Sequence, residues 1–393
     1  MNANITHSFY YSSAALGTAE EFVRLVKIRV PGAVLYDPEA DQPQPYLRDL
    51  RTAEKFLHGG GQPYAAVRFF PEDLRPDLAR AGFAGWCAMI SYFPEVGVLC
   101  LSFHYALRGV APDQLIVLRQ CGENRPLPFP GGDRSCTEQA KALREALGVA
   151  TQPGERCYLC EITDFGGLGD PDEIERDHAA LLYGLLSGDE GCGFVPESLV
   201  RERLKCAWGS RDFIRVYAFG AALLFLNLTG SAERQRYLAR EQSFGAAAYG
   251  GCNDYFRMED CPLTVNHGIL FSVEYVMMLK ALIDDVITYQ GSYSRQHGKS
   301  FYQRIRATRD FRRTIILVLE RAGQTEISEI GELSSVLLES QHIAPVVDQV
   351  KYLLELLEGD LNLMYSERNN VLITILTVMG LLLAAAQVLL AVL

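Results

Sequence analysis

The stretch "VLITILTVMGLLLAAAQVLLAVL", residues 371–393, decides how the rest of the chain is read. It carries no charged side chain, and its strongly polar residues are Thr374, Thr377 and Gln387. As a helix its 23 residues measure ~35 Å at 1.5 Å per residue, enough to cross a hydrocarbon core of roughly 30 Å. A helix in a soluble core is usually shorter and keeps a polar stripe. The stretch is therefore read as a transmembrane helix.

Around it the composition is ordinary. Hydrophobic residues make up 49% of 393, so a single span is expected on a large soluble body of two or three domains. "MNANITHSFYYSS" (1–13) has no basic segment leading into an apolar one, so no signal peptide is expected. The body is expected to stay in the cytosol, with the tail inserting after synthesis. Lys351 and Arg368 precede the span on that inner side. The ten cysteines are scattered without a paired framework and fit a reducing compartment. A net charge of −11 argues against general nucleic-acid binding. The sequons at Asn4 and Asn227 read as chance matches in the cytosol.

Strand and helix patterns alternate through the first 230 residues. "AEEFVRLVKIRV" (19–30) predicts a short amphipathic helix, and "YAAVRFF" (64–70) a strand. "WCAMISYF" and "GVLCLSF" flank Pro94-Glu95-Val96 and predict a hairpin. "SCTEQAKALREALGV" (135–149) reads as a helix, and "RCYLCEIT" (156–163) as a strand. In 170–188, Asp170 caps, Pro171 opens and Gly188 closes a helix. The apolar run Val216–Leu226 is too short to span a membrane and is broken by Gly220, which predicts two buried strands. Beyond Gly230 the pattern is helical: 264–290, 299–323, and a third helix from about Glu329, interrupted near Pro345 and continuing into the span. Ile343, Val350, Leu357 and Met364 recur every seven residues along it, a stripe for a coiled coil or for core packing.

The expected architecture is thus a mixed α/β cytosolic domain (1–230), a helical subdomain (231–328), a stalk helix (329–370) and one C-terminal transmembrane helix (371–393).

Motifs for catalysis are absent. "QHGKS" (296–300) has Tyr293 where a phosphate-binding loop needs glycine, and a helix precedes it. "DFG" (164–166) lacks the companion kinase motifs. Cys157 and Cys160, on one strand, point to opposite faces. No His-Glu-x-x-His, carboxylate dyad or Gly-x-Ser-x-Gly is present, so neither an enzyme nor a cofactor is expected.

Two constellations remain. Arg304, Arg306, Arg309, Arg312 and Arg313 crowd one helix, offset by Asp310. They serve either salt bridges to the acidic body or contact with anionic lipid or phosphate. Within the span, Thr377, Gly380, Ala384, Gln387 and Ala391 are spaced 3, 4, 3, 4 and share one helix face. Gly380 and Ala384 form a small-xxx-small pair, and Gln387 is able to hydrogen-bond across an interface. That face predicts self-association, closing a bundle or lining a pore.

The junction "Arg368-Asn369-Asn370-Val371-Leu372-Ile373-Thr374" followed by an apolar run resembles the start of the first membrane helix in CorA-like divalent-cation transporters. The order of elements, an α/β domain, helical hairpins and a stalk running into the membrane, is similar too. The resemblance implies a homo-oligomer driven through its stalk, with a divalent cation as cargo. The family's Gly-Met-Asn signature is absent, with Val378-Met379-Gly380 in the span instead, and one apolar span is present rather than two. The reading is a tail-anchored, self-associating membrane protein related to a minimal ion channel or transporter. Its rival is a membrane-tethered sensor whose α/β body binds a ligand or partner and whose tail only anchors.

Overall fold

The computed structural model describes residues 1–12, 16–30, 33–35, 64–69, 82–93, 97–117, 127–129, 132–149, 155–205, 207–209, 213–243, 256–257, 264–265, 267–293, nine helical positions between 303 and 316, and 328–392. The chain forms two compact units. One comprises Met1–Leu282 and Gln324–Ala344, the other Ile283–Gly323 and Pro345–Leu393.

The first unit is built on strands β1 (Asn2–Ser12), β2 (Ala33–Leu35), β3 (Tyr64–Phe69), β4 (Phe83–Phe93) and β5 (Val98–Leu107). A small hairpin of β6 (Leu127–Phe129) and β7 (Gly132–Arg134) stands apart. Then come β8 (Glu155–Asp164), β9 (Ala207–Trp208), β10 (Ile214–Phe219) and β11 (Ala222–Asn227). A second minor pair, β12 (Phe256–Arg257) and β13 (Thr264–Val265), also stands apart. The main sheet has nine strands in the order β2-β3-β4-β5-β1-β8-β11-β10-β9. Every neighbouring pair is antiparallel except β8 and β11.

Local chemistry sets many of these elements. Helix α1 (Ala19–Arg29) begins with a capping box between Thr18 and Glu21, and α2 (Cys136–Ala146) with one between Ser135 and Glu138. Helix α3 (Pro171–Ser187) has the Asp170 carboxylate on the Asp172 amide, and ends on Gly188 at φ 77°. α4 (Glu197–Arg203) and α5 (Ala232–Ser243) follow. Gly220, at φ 54°, turns β10 into β11, so the apolar run of 216–226 is a buried hairpin. The expected β4–β5 hairpin is present as well.

Strand β1 is the element the sequence reading missed. It lies at the centre, paired with β5 on one side and β8 on the other. Its two faces differ. Ala3, Ile5, Phe9 and Tyr11 join Leu99, Leu101, Phe103, Ile90, Cys160, Ile162 and Leu224 in an apolar core shared with α1, α2 and α3. Asn4, Thr6, Ser8 and Tyr10 occupy the other face and are also buried. Cys157 and Cys160 fall on opposite faces, as their spacing requires.

Helix α6 (His267–Tyr293) covers part of the polar face: Glu274 accepts hydrogen bonds there from Ser91 and Cys100. Residues 272–279 are buried around its whole circumference. Helix α7 (Ser328–Ser340) packs against β9 and β10, where the Trp208 indole donates to Glu332 at 2.9 Å. The expected interruption lies at Gln341–His342, with His342 at φ 55°, and not at the proline itself. Pro345 sits in the first turn of α8 (Ile343–Val392), where a missing N–H costs nothing. At 50 residues, α8 is about 75 Å long.

Candidate functional site

Helix α8 holds the candidate site. It is the one helix among the described residues long and apolar enough to cross a membrane. Its two halves have different surroundings. Val350, Leu357 and Met364 are buried within the second unit, so the seven-residue stripe serves packing inside the chain. The segment carrying the arginines packs in the same unit, burying Ile305, Thr308 and Ile315, and Arg312 donates to Glu358 at 3.0 Å. From Asn369 to Ala384 every side chain is exposed, including Leu381, Leu382 and Leu383 at 67%, 65% and 63%. A bare leucine-rich surface of that length is long and apolar enough to suit the hydrocarbon of a membrane.

The small-residue face is open. A Cβ added at Gly380 meets no atom within 4 Å. Thr377, Ala384 and Gln387 lie on the same side and are exposed; Ala391 continues the helix. The Thr374 and Thr377 hydroxyls donate to the carbonyls of Asn370 and Ile373, both at 2.8 Å. Their polarity is thus satisfied inside the helix. Thr377 therefore contributes its small size to the face, with its proton already committed.

A second stripe, overlooked in the sequence, extends this face out of the span. Tyr352, Leu356 and Leu363 are exposed at 60%, 49% and 59%, with Gly359 between them. Their spacing of 4, 3, 4 continues through Ser366, Asn370 and Ile373 into Thr377 and Gly380 without a phase break. Val350, Leu357 and Met364 each fall two residues before Tyr352, Gly359 and Ser366, a rotation of about 200°. So α8 packs on its own chain with one side and presents an exposed seam with the other, apolar at Tyr352, Leu356, Leu363 and Ile373 and polar at Ser366 and Asn370. The signal was the pair of interleaved heptads; the stronger one masked the weaker.

At the junction, Asn369 and Asn370 are exposed and Arg368 is half-buried. Arg306, Arg309, Arg312 and Arg313 are exposed, while Arg304 lies outside the described residues. Arg306, Arg309 and Arg313 fall within about a 60° arc of their helix, and Arg312 is turned aside to Glu358.

The polar sheet face is the other concentration of chemistry. Glu161, buried in β8, accepts from Asn4 Nδ2 at 3.1 Å and Asn227 Nδ2 at 2.7 Å. Arg108 donates to Asn4 Oδ1 at 3.1 Å; burial lowers its pKa, and the Glu161 charge offsets part of that. Burial and the Glu274 charge push the Cys100 thiol well up, so it packs as a thiol and not as a nucleophile. Among the described residues no group of three or more His, Cys, Asp or Glu is placed to hold a metal ion.

His104 gives this face a pH signature. Its Nδ1 shares a hydrogen bond with Thr6 Oγ1 at 2.7 Å, and burial pushes its pKa down to about 3. The unfolded chain binds a proton below its ordinary value near 6.5, and the folded chain does not until pH approaches 3. The stability tied to neutral His104 is thus complete above pH 6.5 and is lost as pH falls toward 3, by up to about 1.4 kcal/mol per pH unit. Between pH 6.5 and 5, His104→Gln is expected to remove about 2 kcal/mol of the acid-induced loss seen in denaturation of the wild type. Equal pH slopes for the two proteins would show that His104 is not held neutral.

No family model, curated protein or solved structure matches the chain.

Proposed function

We propose that this chain is a membrane-anchored, self-associating protein in which α8 joins the sheet-bearing body to the bilayer as one continuous rod. The observation that carries the reading is the double nature of α8. One side is packed within the chain, and the other is an exposed seam running unbroken from Tyr352 to Gln387. In water, Tyr352, Leu356 and Leu363 associate by the hydrophobic effect. In lipid, where leucine gains nothing by leaving the solvent, close approach at Gly380 and Ala384 supplies the packing. The seam therefore suits a second copy of the same chain along its full length. The CorA-like resemblance supports the same arrangement and adds passage of ions through the assembled spans.

Two variants test the seam at its two ends. Gly380→Ile with Ala384→Ile keeps the span apolar and removes the close approach. Leu356→Glu with Leu363→Glu charges the aqueous part without touching the buried stripe. In mild detergent the wild type is expected to run as an oligomer and each double variant as a smaller species. Gln387→Leu should weaken assembly less, since interhelical side-chain bonds in membranes average about 0.6 kcal/mol. A wild type that is monomeric at every concentration leaves α8 as an anchor only. Ion flux into liposomes carrying the full chain, against liposomes carrying the Gly380/Ala384 variant, tests the ion path separately.

A further inference from the structure

The chain is acidic overall, yet one exposed helix face in the second unit carries Arg306, Arg309 and Arg313. Among the described residues none of the three takes part in an ion pair, whereas their neighbour Arg312 is paired with Glu358. Resting on the membrane reading above, we infer that this face docks on the anionic headgroups of the membrane that α8 enters. Three features support it.

The first is height. The segment 303–316 leads the chain out of the second unit at Gly323, while α8 leads in from Pro345. In an antiparallel pairing of the two, which this chain path allows, the Arg312–Glu358 contact sets the register. Arg306, six residues before Arg312, then stands level with Met364, seven residues short of Val371, or roughly 10 Å from the apolar stretch. Burial of Ile305 and Met364 agrees with that register. The headgroup layer itself adds about 5–7 Å beyond the hydrocarbon, so a guanidinium at Arg306 reaches phosphate. Measured to that headgroup layer, Arg309 is about 9 Å and Arg313 about 14 Å away, so with a Debye length of ~8 Å at physiological salt their attraction is successively weaker.

The second feature is chemistry. Guanidinium is a planar donor fork that matches phosphate oxygens, and arginine keeps its charge at every relevant pH. The third is contrast. A body of net charge −11 is repelled by an anionic leaflet, so a face of reversed sign beside the span sets how the second unit stands against the surface.

The test uses the full chain in nanodiscs of neutral phosphatidylcholine, and in discs with about 30 mol% phosphatidylglycerol. Hydrogen exchange is followed over peptides covering 303–316. In anionic discs at about 0.1 M salt, exchange should slow about fivefold or more, and the slowing should vanish at about 1 M salt, where the Debye length is ~3 Å. Arg306→Gln should remove more of the effect than Arg313→Gln, because of the height difference. Equal exchange in the two kinds of disc overturns the inference while leaving the anchor in place. The same slowing in neutral discs on adding inorganic phosphate overturns it too, in favour of a soluble anion. If the chain does not enter discs at all, this inference and the membrane reading fall together.

Discussion

A chain ended at Asn370 is expected to leave the membrane fraction completely, while the full chain stays in the pellet through alkaline carbonate extraction. The segment removed contains fourteen Leu, Ile and Val residues. At about −0.3 to −0.6 kcal/mol each near the centre of a span, they favour insertion by about 4–8 kcal/mol, a partition of three orders of magnitude or more. The shortened chain should keep its fold, because every side chain from Val371 to Ala384 is exposed. A graded version is Leu382→Arg, at the middle of the stretch, where an arginine costs about 2.5–3.5 kcal/mol and should shift a visible fraction into the supernatant. If the full and shortened chains distribute alike, the membrane reading is wrong, and with it the seam within the span.

The second large effect is expected at Glu161. Its two carboxylate oxygens accept from Asn4 and Asn227 in a buried site, and its charge faces Arg108 through Asn4. Glu161→Leu removes both acceptors and leaves the arginine without its nearest counter-charge. Breaking a buried ionic network from one side costs about 3–5 kcal/mol, equivalent to a drop of about 10 °C in the unfolding midpoint of a unit this size. Glu161→Gln keeps one acceptor oxygen and should lie between the two. Glu197→Gln, which breaks only an exposed pair with Arg201, should change the midpoint by less than about 2 °C. Thermal melts of the four proteins in detergent decide it; a Glu161→Leu midpoint equal to wild type would mean that the cluster bears no net weight in stability.

What was legible in the sequence was whatever is encoded locally. Asp170-Pro171 and Gly188 bracket α3 because capping groups act within four residues, and Gly220 splits the 216–226 run because a tight turn needs positive φ. The candidate span was legible because length and uninterrupted apolarity are read directly from the sequence. Strand β1 was not. Its "NITHSFYY" alternates polar and apolar in the manner of a strand with one wet face, yet both faces are buried, and only the partners at Glu161, Ser102 and His104 make that tolerable. Those partners lie about a hundred residues or more away in sequence. The site divided the same way. Thr377, Gly380, Ala384 and Gln387 share an exposed face, as their spacing requires. The outward stripe of Tyr352, Leu356 and Leu363 became visible only once the competing stripe at Val350, Leu357 and Met364 was seen to be used up inside the chain.

The place of β1 also bears on synthesis. Its first neighbour, β5, is complete at residue 107, and its second, β8, at residue 164. At about 5–20 residues per second, the ribosome makes the strand wait roughly 5–20 s for the first and up to half a minute for the second. "NITHSFYY", a segment of high β-propensity with no charge and no proline, is unpaired until β5 is complete and keeps one open edge until β8 is. Newly made chains are therefore most exposed to misassembly before β8 emerges, and a pause in translation between residues 107 and 164 should lower the yield of folded protein more than a pause of equal length after 230.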